Sequence, residues 1–343
     1  MQTIKLTDDI FTWQGHISME ECDGGLLPWK VDYRELMLYH KALLNRVGFP
    51  AGMRLSFRTN SRNLEVLVKP DEEFGLNAIP VDLVVGDEVL ASQSFTPDGR
   101  VVFEDLPEGP KNIELWLPMW GHYVWQTLSI DDGAVVERWS RTGPKLVTYG
   151  SSITVCYDAA SPTRTWSAIV ARKGGFDLTC MATGGSCHLD TMMALNIRDH
   201  KADFIILKLG INIHGQNSLS ERTFRQSIIG FIKIIREKQP DTPILLISPI
   251  YCEAREDTEN KVGLTLKKMR DEIVLARQAF VDFGDQNIHY LSGLELLGEN
   301  DTHGLQTDDW MHPNAEGYEM MGNRLAAIMK DRHFTSNSGQ ALA

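Results

Sequence analysis

One short stretch near the middle of the chain decides the fold, LVTYGSSITVCYD (residues 146–158). It opens as an apolar run and stops at a glycine and two serines, which is typical of a buried strand ending in a tight turn. The two hydroxyl groups at that turn allow two interpretations. They are ordinary turn residues, or one of them is a nucleophile presented at the edge of a sheet.

The sequence around this stretch predicts an α/β domain. Helix-period segments alternate with continuous apolar runs, a pattern that predicts strands buried on both faces and joined by helical crossovers. The expected architecture is a doubly wound, five-stranded parallel sheet, with a reactive site beyond the carboxyl ends of its strands. The predicted strands lie at 145–150, 176–182, 202–210, 243–250 and 288–293, and the clearest helices at 165–173, 223–238 and 264–280.

The first 140 residues have a different hydrophobic pattern. Apolar and polar residues alternate in several short runs separated by turn signals, which indicates antiparallel strands with one buried face and predicts a β-sandwich. The clearest such runs are at 54–60, 63–69, 79–85 and 100–106. The segment 31–47 fits a helix or short strands equally well. We therefore predict a sandwich domain over 1–140, an α/β domain over 144–331 and a flexible tail over 332–343.

The net charge of the chain bears on which partners it can bind. The 343-residue chain carries 46 acidic and 34 basic residues, a net charge of -12, which disfavours nucleic acid and anionic membranes as partners. No apolar run approaches the length of a membrane span, and the first residues lack the pattern of a secretion signal. Five irregularly spaced cysteines favour free thiols and a cytoplasmic location, and the spacing of Cys180, Cys187 and His188 fits no standard zinc pattern.

Small and polar residues follow four of the predicted elements. Ser151 and Ser152 follow the first strand, Gly184 and Gly185 the second, and Asn212 comes after a glycine that ends the third. The segment DDWMHPNAEGY (308–318) follows the fifth strand. The predicted fold gathers these positions at one edge of the sheet.

These residue types suit acyl transfer. A serine hydroxyl is a poor nucleophile until a base removes its proton, and His312 is a candidate base. Asp309 lies three residues earlier, close enough to hold the imidazole in one tautomer. The oxyanion formed by attack on an ester needs fixed donors, which backbone N–H groups at loop glycines and the amide of Asn212 can supply.

At this point the sequence resembles the GDSL, or SGNH, hydrolases, whose fold is flavodoxin-like. Four blocks are similar to those of the family, in the same order and over about residues 144–331: Gly150-Ser151-Ser152-Ile153-Thr154, Gly184-Gly185, Gly210-Ile211-Asn212 and Asp309-Trp310-Met311-His312. The resemblance implies that Ser152 is the nucleophile, with His312 and Asp309 completing a triad. It also implies an oxyanion hole formed by Ser152, Gly185 and Asn212, and catalysis without a metal or organic cofactor.

The sequence departs from the family pattern at three places. Ser151 and Ile213 stand where the family commonly has aspartates, and the glycine block lacks its usual leading asparagine. Without that asparagine both Gly184 and Gly185 fit the glycine block, and Gly185 is the choice that the resemblance implies. Asp308 is a poorer candidate than Asp309 because of its register.

Each block also has a purely structural interpretation. A Gly-Ser-Ser turn is most often a helix cap, and His312 before a proline can mark a helix start. These interpretations must all hold at once to remove the site, which favours the catalytic hypothesis. For His188, His214 and His303 a structural or solvent-exposed role is the expectation.

The first domain carries four aromatic residues in one stretch, Trp116, Trp120, Tyr123 and Trp125. They either pack the sandwich core or form a sugar-binding surface near a loop at 118–121, and core packing is the favoured interpretation.

The two-domain layout is similar to that of family members with a jelly-roll-like domain ahead of the catalytic one, including carbohydrate esterases. We expect a serine esterase for short O-acyl esters, such as acetyl groups on a carbohydrate. An acyltransferase with the same triad and a non-catalytic carbohydrate-binding protein are the alternatives.

Overall fold

The structure is a computed structural model that describes residues 1–332. It separates into two compact units. The first holds Met1–Thr142 together with the short pieces Ala160–Thr163 and Asp177–Thr179, and the second holds Gly143–Ala159, Arg164–Phe176 and the chain from Cys180 on. Apart from Arg332, the tail predicted at 332–343 lies outside the described residues.

The first unit is built from two antiparallel sheets. One has the strand order β3-β4-β11-β6-β9 with β1 beside β11, and the other has the order β12-β5-β10-β7-β8 with β2 beside β5. This confirms the predicted antiparallel β domain ahead of the α/β domain. The strands are β1 (Gln2–Lys5), β2 (Thr12–Gln14), β3 (Ser18–Cys22), β4 (Gly25–Trp29), β5 (Arg54–Thr59), β6 (Leu64–Pro70), β7 (Val81–Val85), β8 (Glu88–Gln93), β9 (Arg100–Phe103), β10 (Lys111–Trp116), β11 (Tyr123–Ile130) and β12 (Val136–Glu137).

Strand β6 shows how the alternating pattern places residues in this unit. Leu64, Val66 and Val68 are buried in the core, and the residues between them are only partly covered. Side chains of a strand point to opposite faces in turn, so every second residue enters the core. The segment that the sequence left open is helical, with a 3₁₀ turn at Tyr33–Leu38 followed by α1 (Lys41–Val47).

The chain from residue 143 on forms a five-stranded parallel sheet flanked by helices, which confirms the predicted fold class. The sheet order is β14-β13-β15-β16-β17, so the first strand in sequence lies second in the sheet. The elements are β13 (Lys145–Tyr149), α2 (Ser152–Val155), α3 (Trp166–Gly174), β14 (Asp177–Cys180), α4 (Thr191–Asp199), β15 (Phe204–Lys208), α5 (Ile211–Gln216), α6 (Glu221–Arg236), β16 (Ile244–Ile247), α7 (Glu253–Glu256), α8 (Leu266–Asp282), β17 (Ile288–Leu291) and α9 (Ala315–Asp331).

The central strands explain the continuous apolar runs. Every residue of β15 and of β16 is buried, because helices cover both faces of the sheet. The strand order reverses between β13 and β15, and ligands of such sheets bind in the crevice at this switch point. Ser152 and Asn212 lie in α2 and α5, the short helices that directly follow β13 and β15.

None of the helices in residues 1–332 combines the length and the hydropathy needed to cross a membrane.

Candidate active site

The turn after β13 separates the two serines. Ser151 is the N-cap of α2, and its hydroxyl accepts a hydrogen bond from the backbone N–H of Ile153 at 3.3 Å. Ser152 is the first residue of α2 and is only 7% exposed. Its Oγ lies 2.7 Å from Nε2 of His312. Ser151 therefore stabilises the helix start, and Ser152 is the serine that contacts an imidazole.

Two glycines let strands β13 and β15 turn directly into helices. A Cβ on Gly150 would lie 2.2 Å from Oγ1 of Thr154, so any larger residue would push the turn away from α2. Gly210 has a φ of +114° and a Cβ there would lie 2.8 Å from Cγ of Pro249. Only glycine meets both conditions at that position. These turns fix where Ser152 and Asn212 lie at the sheet edge.

His312 bridges Ser152 and Asp309. Its Nδ1 is hydrogen-bonded to Oδ2 of Asp309, and a carboxylate can only accept, so Nδ1 carries the proton. In the neutral ring Nε2 then has a free lone pair, which can accept the Ser152 proton. The other oxygen of Asp309, Oδ1, accepts the backbone N–H groups of Met311 and His312, each at 2.9 Å. The carboxylate thus orients the histidine from both its ring and its backbone.

The loop that carries Asp309 and His312 is closed by its own backbone. The N–H of Gln306 donates to the carbonyl of His312 at 2.7 Å, and the N–H of Trp310 donates to the carbonyl of Gln306 at 2.9 Å. Asn314 ends the loop as the N-cap of α9, accepting from the N–H of Gly317 at 2.9 Å. This geometry holds the imidazole in place at the start of the last helix.

The electrostatics of the loop keep Asp309 charged. Burial alone would raise the pKa of Asp309, but hydrogen bonds from the ring and backbone of His312 and from the backbone of Met311 lower it below the ordinary aspartate value. The carboxylate is therefore ionised at neutral pH and stabilises an imidazolium. Because the pKa is lowered on folding, this contribution to stability is present above the ordinary pKa and is lost as the pH falls through the lowered one.

The glycine block and Asn212 lie together beside the Ser152 turn. The N–H of Thr183 donates to the carbonyl of Gly150 at 2.9 Å, which ties the loop after β14 to the turn after β13. The backbone N–H of Cys187 donates to Oδ1 of Asn212 at 3.1 Å. Since an N–H group needs an acceptor, this bond fixes the orientation of the amide and leaves Nδ2 on its other side. The assignment of Nδ2 and of the Gly185 N–H as oxyanion donors remains a proposal.

The two glycines of the block are constrained in different ways. A Cβ on Gly184 would lie 1.8 Å from the hydroxyl oxygen of Tyr157, whereas a Cβ on Gly185 would meet no atom within 4 Å. Gly185 instead has a φ of +70°, a conformation that costs other residues about 1 kcal/mol. Gly184 is thus required by packing and Gly185 by backbone conformation.

We expect Gly184→Ala to destabilise the protein more than Gly185→Ala. The first substitution forces Tyr157 to move, at a cost of about 3 kcal/mol for overpacking, and the second only strains the backbone by about 1 kcal/mol. Thermal unfolding followed by circular dichroism compares the two variants. Equal shifts in the Tm would contradict this account of the loop.

The three other histidines that could lie near the proposed site, His188, His214 and His303, have different surroundings. The ring of His188 contacts the loop after β14, with Nε2 3.4 Å from the carbonyl oxygen of Gly185. His214 is buried in α5, and the carbonyl of His303 accepts from the side chain of Asn314 at 2.8 Å. His188 thus contacts a residue of the proposed oxyanion hole.

Three of the four aromatic residues between positions 116 and 125 are buried. Trp116, Tyr123 and Trp125 are buried, and Tyr123 and Trp125 belong to the core between the two sheets. Trp120 is partly exposed and stacks on Phe49, with ring centroids 4.7 Å apart. This arrangement matches the interpretation of these residues as packing residues, and removes the main sequence argument for a sugar-stacking surface.

Asp158 lies close to His312, and the sequence analysis did not single it out. Burial raises the pKa of its carboxyl group, the charge of His312 lowers it, and the nearby charges of Asp308 and Asp309 raise it further. The sequence could have indicated Asp158, because this acidic residue is only six positions after Ser152, in the stretch 146–158. Its position makes it part of the charge environment of the base.

Comparison with known proteins gives matches to both halves of the chain. A family model described as the GDSL-like lipase/acylhydrolase family matches residues 144–330, and a model of the N-terminal domain of SsfX3 matches residues 11–126. No protein of curated function matches in sequence.

Several solved structures are similar over nearly the whole chain. The salicylyl-acyltransferase SsfX3 from a tetracycline biosynthetic pathway is 31% identical with a TM-score of 0.86, covering 95% of this chain and 97% of its own. A GDSL-like lipase from Bacteroides ovatus is 19% identical with a TM-score of 0.77, covering 96% and 97%. A family two carbohydrate esterase from Clostridium thermocellum is 13% identical with a TM-score of 0.68, covering 94% and 98%. The last two similarities show a shared fold.

Proposed function

The chain belongs to the GDSL-like lipase/acylhydrolase family, and from this premise we propose that it is a serine esterase that hydrolyses short O-acyl esters through an acyl-enzyme. The observation that carries the proposal is the hydrogen-bonded series from Ser152 Oγ to His312 Nε2, 2.7 Å apart, and from His312 Nδ1 to Asp309. This arrangement supports activation of the serine, because the base is within hydrogen-bonding distance of the proton it removes.

In the first half of the proposed reaction, Ser152 Oγ attacks the acyl carbon while its proton passes to Nε2 of His312. The carbonyl oxygen becomes an oxyanion, to which the N–H groups of Ser152 and Gly185 and the amide of Asn212 donate. When the tetrahedral intermediate collapses, His312 gives the proton to the departing alcohol. The acyl group remains on Ser152 as an ester.

The second half repeats these steps with water. His312 removes a proton from the water molecule, whose oxygen attacks the acyl carbon of the acyl-enzyme. Collapse of the second intermediate returns the proton to Ser152 Oγ and releases the carboxylic acid. Asp309 stays ionised throughout and stabilises the imidazolium formed in each half.

Acyl transfer to an alcohol is a second candidate function, favoured by one observation. The similarity to a salicylyl-acyltransferase extends over 95% of this chain at 31% identity, and it includes the first unit. Transfer would use the same acyl-enzyme, with an acceptor hydroxyl in place of water. The family two carbohydrate esterases share the fold, and an acetylated sugar remains one candidate substrate.

Product analysis distinguishes hydrolysis from transfer. The protein is incubated with p-nitrophenyl esters of graded acyl length, including an aromatic acyl group, and with acetylated sugars, each with and without a dilute alcohol or sugar acceptor. The proposal predicts free acid as the main product from a short-chain ester in every reaction. A predominance of acylated acceptor at low acceptor concentration would instead identify a transferase.

We expect Asn212→Ala to lower kcat by about 10²-fold to 10³-fold with little change in KM, since an oxyanion donor acts mainly in the transition state. Asn212→Asp is the matched variant, because its carboxylate still accepts from the N–H of Cys187 but no longer donates. Steady-state kinetics on a p-nitrophenyl ester should show a large loss of kcat in both variants. A rise in KM at unchanged kcat would contradict the oxyanion role.

A further inference from the structure

Two amide side chains on one face of α5 hold the loop that follows β14. Asn212 and Gln216 are four residues apart on this helix and therefore lie on the same face. Asn212 Oδ1 accepts from the N–H of Cys187 at 3.1 Å, and Gln216 Nε2 donates to the carbonyl oxygen of Gly185. One helix face thus contacts the loop at both ends of the segment 185–187.

The ring of His188 supports the same carbonyl group. Its Nε2 lies 3.4 Å from the carbonyl oxygen of Gly185, and its Nδ1 lies 2.7 Å from Oγ of Ser218. The two bonds are consistent with one neutral tautomer, in which Nε2–H donates to the carbonyl and Nδ1 accepts a hydrogen bond from the Ser218 hydroxyl. The Gly185 carbonyl therefore has two side-chain donors from two different parts of the chain.

Such support matters because two glycines in a row make this part of the loop conformationally free. Gly184 and Gly185 are consecutive glycines, which lose more conformational freedom on folding than other residues. Gly185 has a φ of +70° and no neighbouring atom within 4 Å of where its Cβ would be. No atom packs against Gly185 on that side, so the hydrogen bonds to its carbonyl group contribute to holding its conformation.

We propose that Gln216, assisted by His188, is a positioning residue: by holding the Gly185 carbonyl it fixes the φ and ψ of Gly185, the residue whose N–H is proposed to donate to the substrate oxyanion. This inference rests on the proposed esterase function and extends it to residues outside the family's four blocks. Gln216 does not touch the reacting atoms. It acts through Gly185, and its removal should therefore weaken transition-state stabilisation rather than substrate binding.

The test replaces Gln216 by methionine, which keeps the length of the side chain and removes the donor. We expect Gln216→Met to lower kcat for p-nitrophenyl acetate about tenfold, to leave KM within twofold and to leave the Tm unchanged. Phosphonylation by a fluorophosphonate also places an oxygen in the oxyanion hole, so its rate should fall by a similar factor. Gln278→Met, at an exposed glutamine of α8, is the matched control and should behave as the native protein.

Three outcomes are decisive. A native-like kcat in Gln216→Met, while labelling still depends on Ser152, would overturn the positioning role and leave the esterase proposal intact. A fall in kcat accompanied by a matching fall in the Tm would assign Gln216 a merely structural role and also overturn it. Equal fluorophosphonate labelling of the native protein and of Ser152→Ala would overturn the esterase proposal itself, and the positioning role with it.

Discussion

Ser152→Ala is expected to lower kcat for a short p-nitrophenyl ester by about 10⁶-fold, the scale of loss seen when a triad nucleophile is removed. The physical reason is that the hydroxyl 2.7 Å from His312 Nε2 is the group that would become acylated. Without it, only binding and the oxyanion donors remain to accelerate direct attack by water. Steady-state hydrolysis by the purified variant, compared with the native protein, gives the result.

The adjacent serine provides a matched control. Ser151 caps α2 through the N–H of Ile153, so Ser151→Ala should cost about 1 kcal/mol of stability and keep most of the activity. If Ser151→Ala lost the activity and Ser152→Ala retained it, the nucleophile would be the other serine. If both retained it, the reaction would not use this turn.

Asp309→Asn is expected to lower kcat by about 10⁴-fold near neutral pH. The carboxylate accepts from Nδ1 of His312, whereas a carboxamide can donate to Nδ1 and so favour the tautomer with the proton on Nε2. In that tautomer the ring cannot accept the proton of Ser152. The kcat of the native protein and of the variant, measured over a range of pH, would show the loss at neutral pH.

Asp308→Asn is the control for this prediction. Asp308 precedes Asp309 by one residue, and the carboxylate bonded to His312 belongs to Asp309. The control variant should therefore retain activity within a fewfold of the native protein. A larger loss in Asp308→Asn than in Asp309→Asn would mean that the two acids exchange roles in solution.

The sequence predicted the parallel sheet well because burial on both faces leaves a direct signature. All five strands lie within the predicted apolar runs, as shown by β15 (Phe204–Lys208) within 202–210. The proposed site residues came from the same runs, because they follow the carboxyl ends of predicted strands. The segment 31–47 could not be decided, because its spacing of apolar residues fits either structure. In the structure this segment includes α1, whose residues Leu43 and Val47 are buried.

Two residues near the proposed site owe their positions to the paths of loops. No sequence motif marks Gln216, and the path of the loop after β14 brings Gly185 within its reach. Asp158 lies near His312 because the chain turns back after α2, at Cys156 with a φ of +64°. Hydrophobic periodicity carries no information about such turns, so these contacts become visible only in three dimensions.

The most direct test of the account asks whether His312 activates Ser152. The native protein and His312→Ala are treated with a fluorophosphonate, and the modified residue is located by peptide mass spectrometry while the rate of labelling is measured. The account predicts one adduct per chain, on Ser152, formed at least about 10³-fold more slowly in His312→Ala. An adduct on another residue, or equal rates in the two proteins, would contradict it.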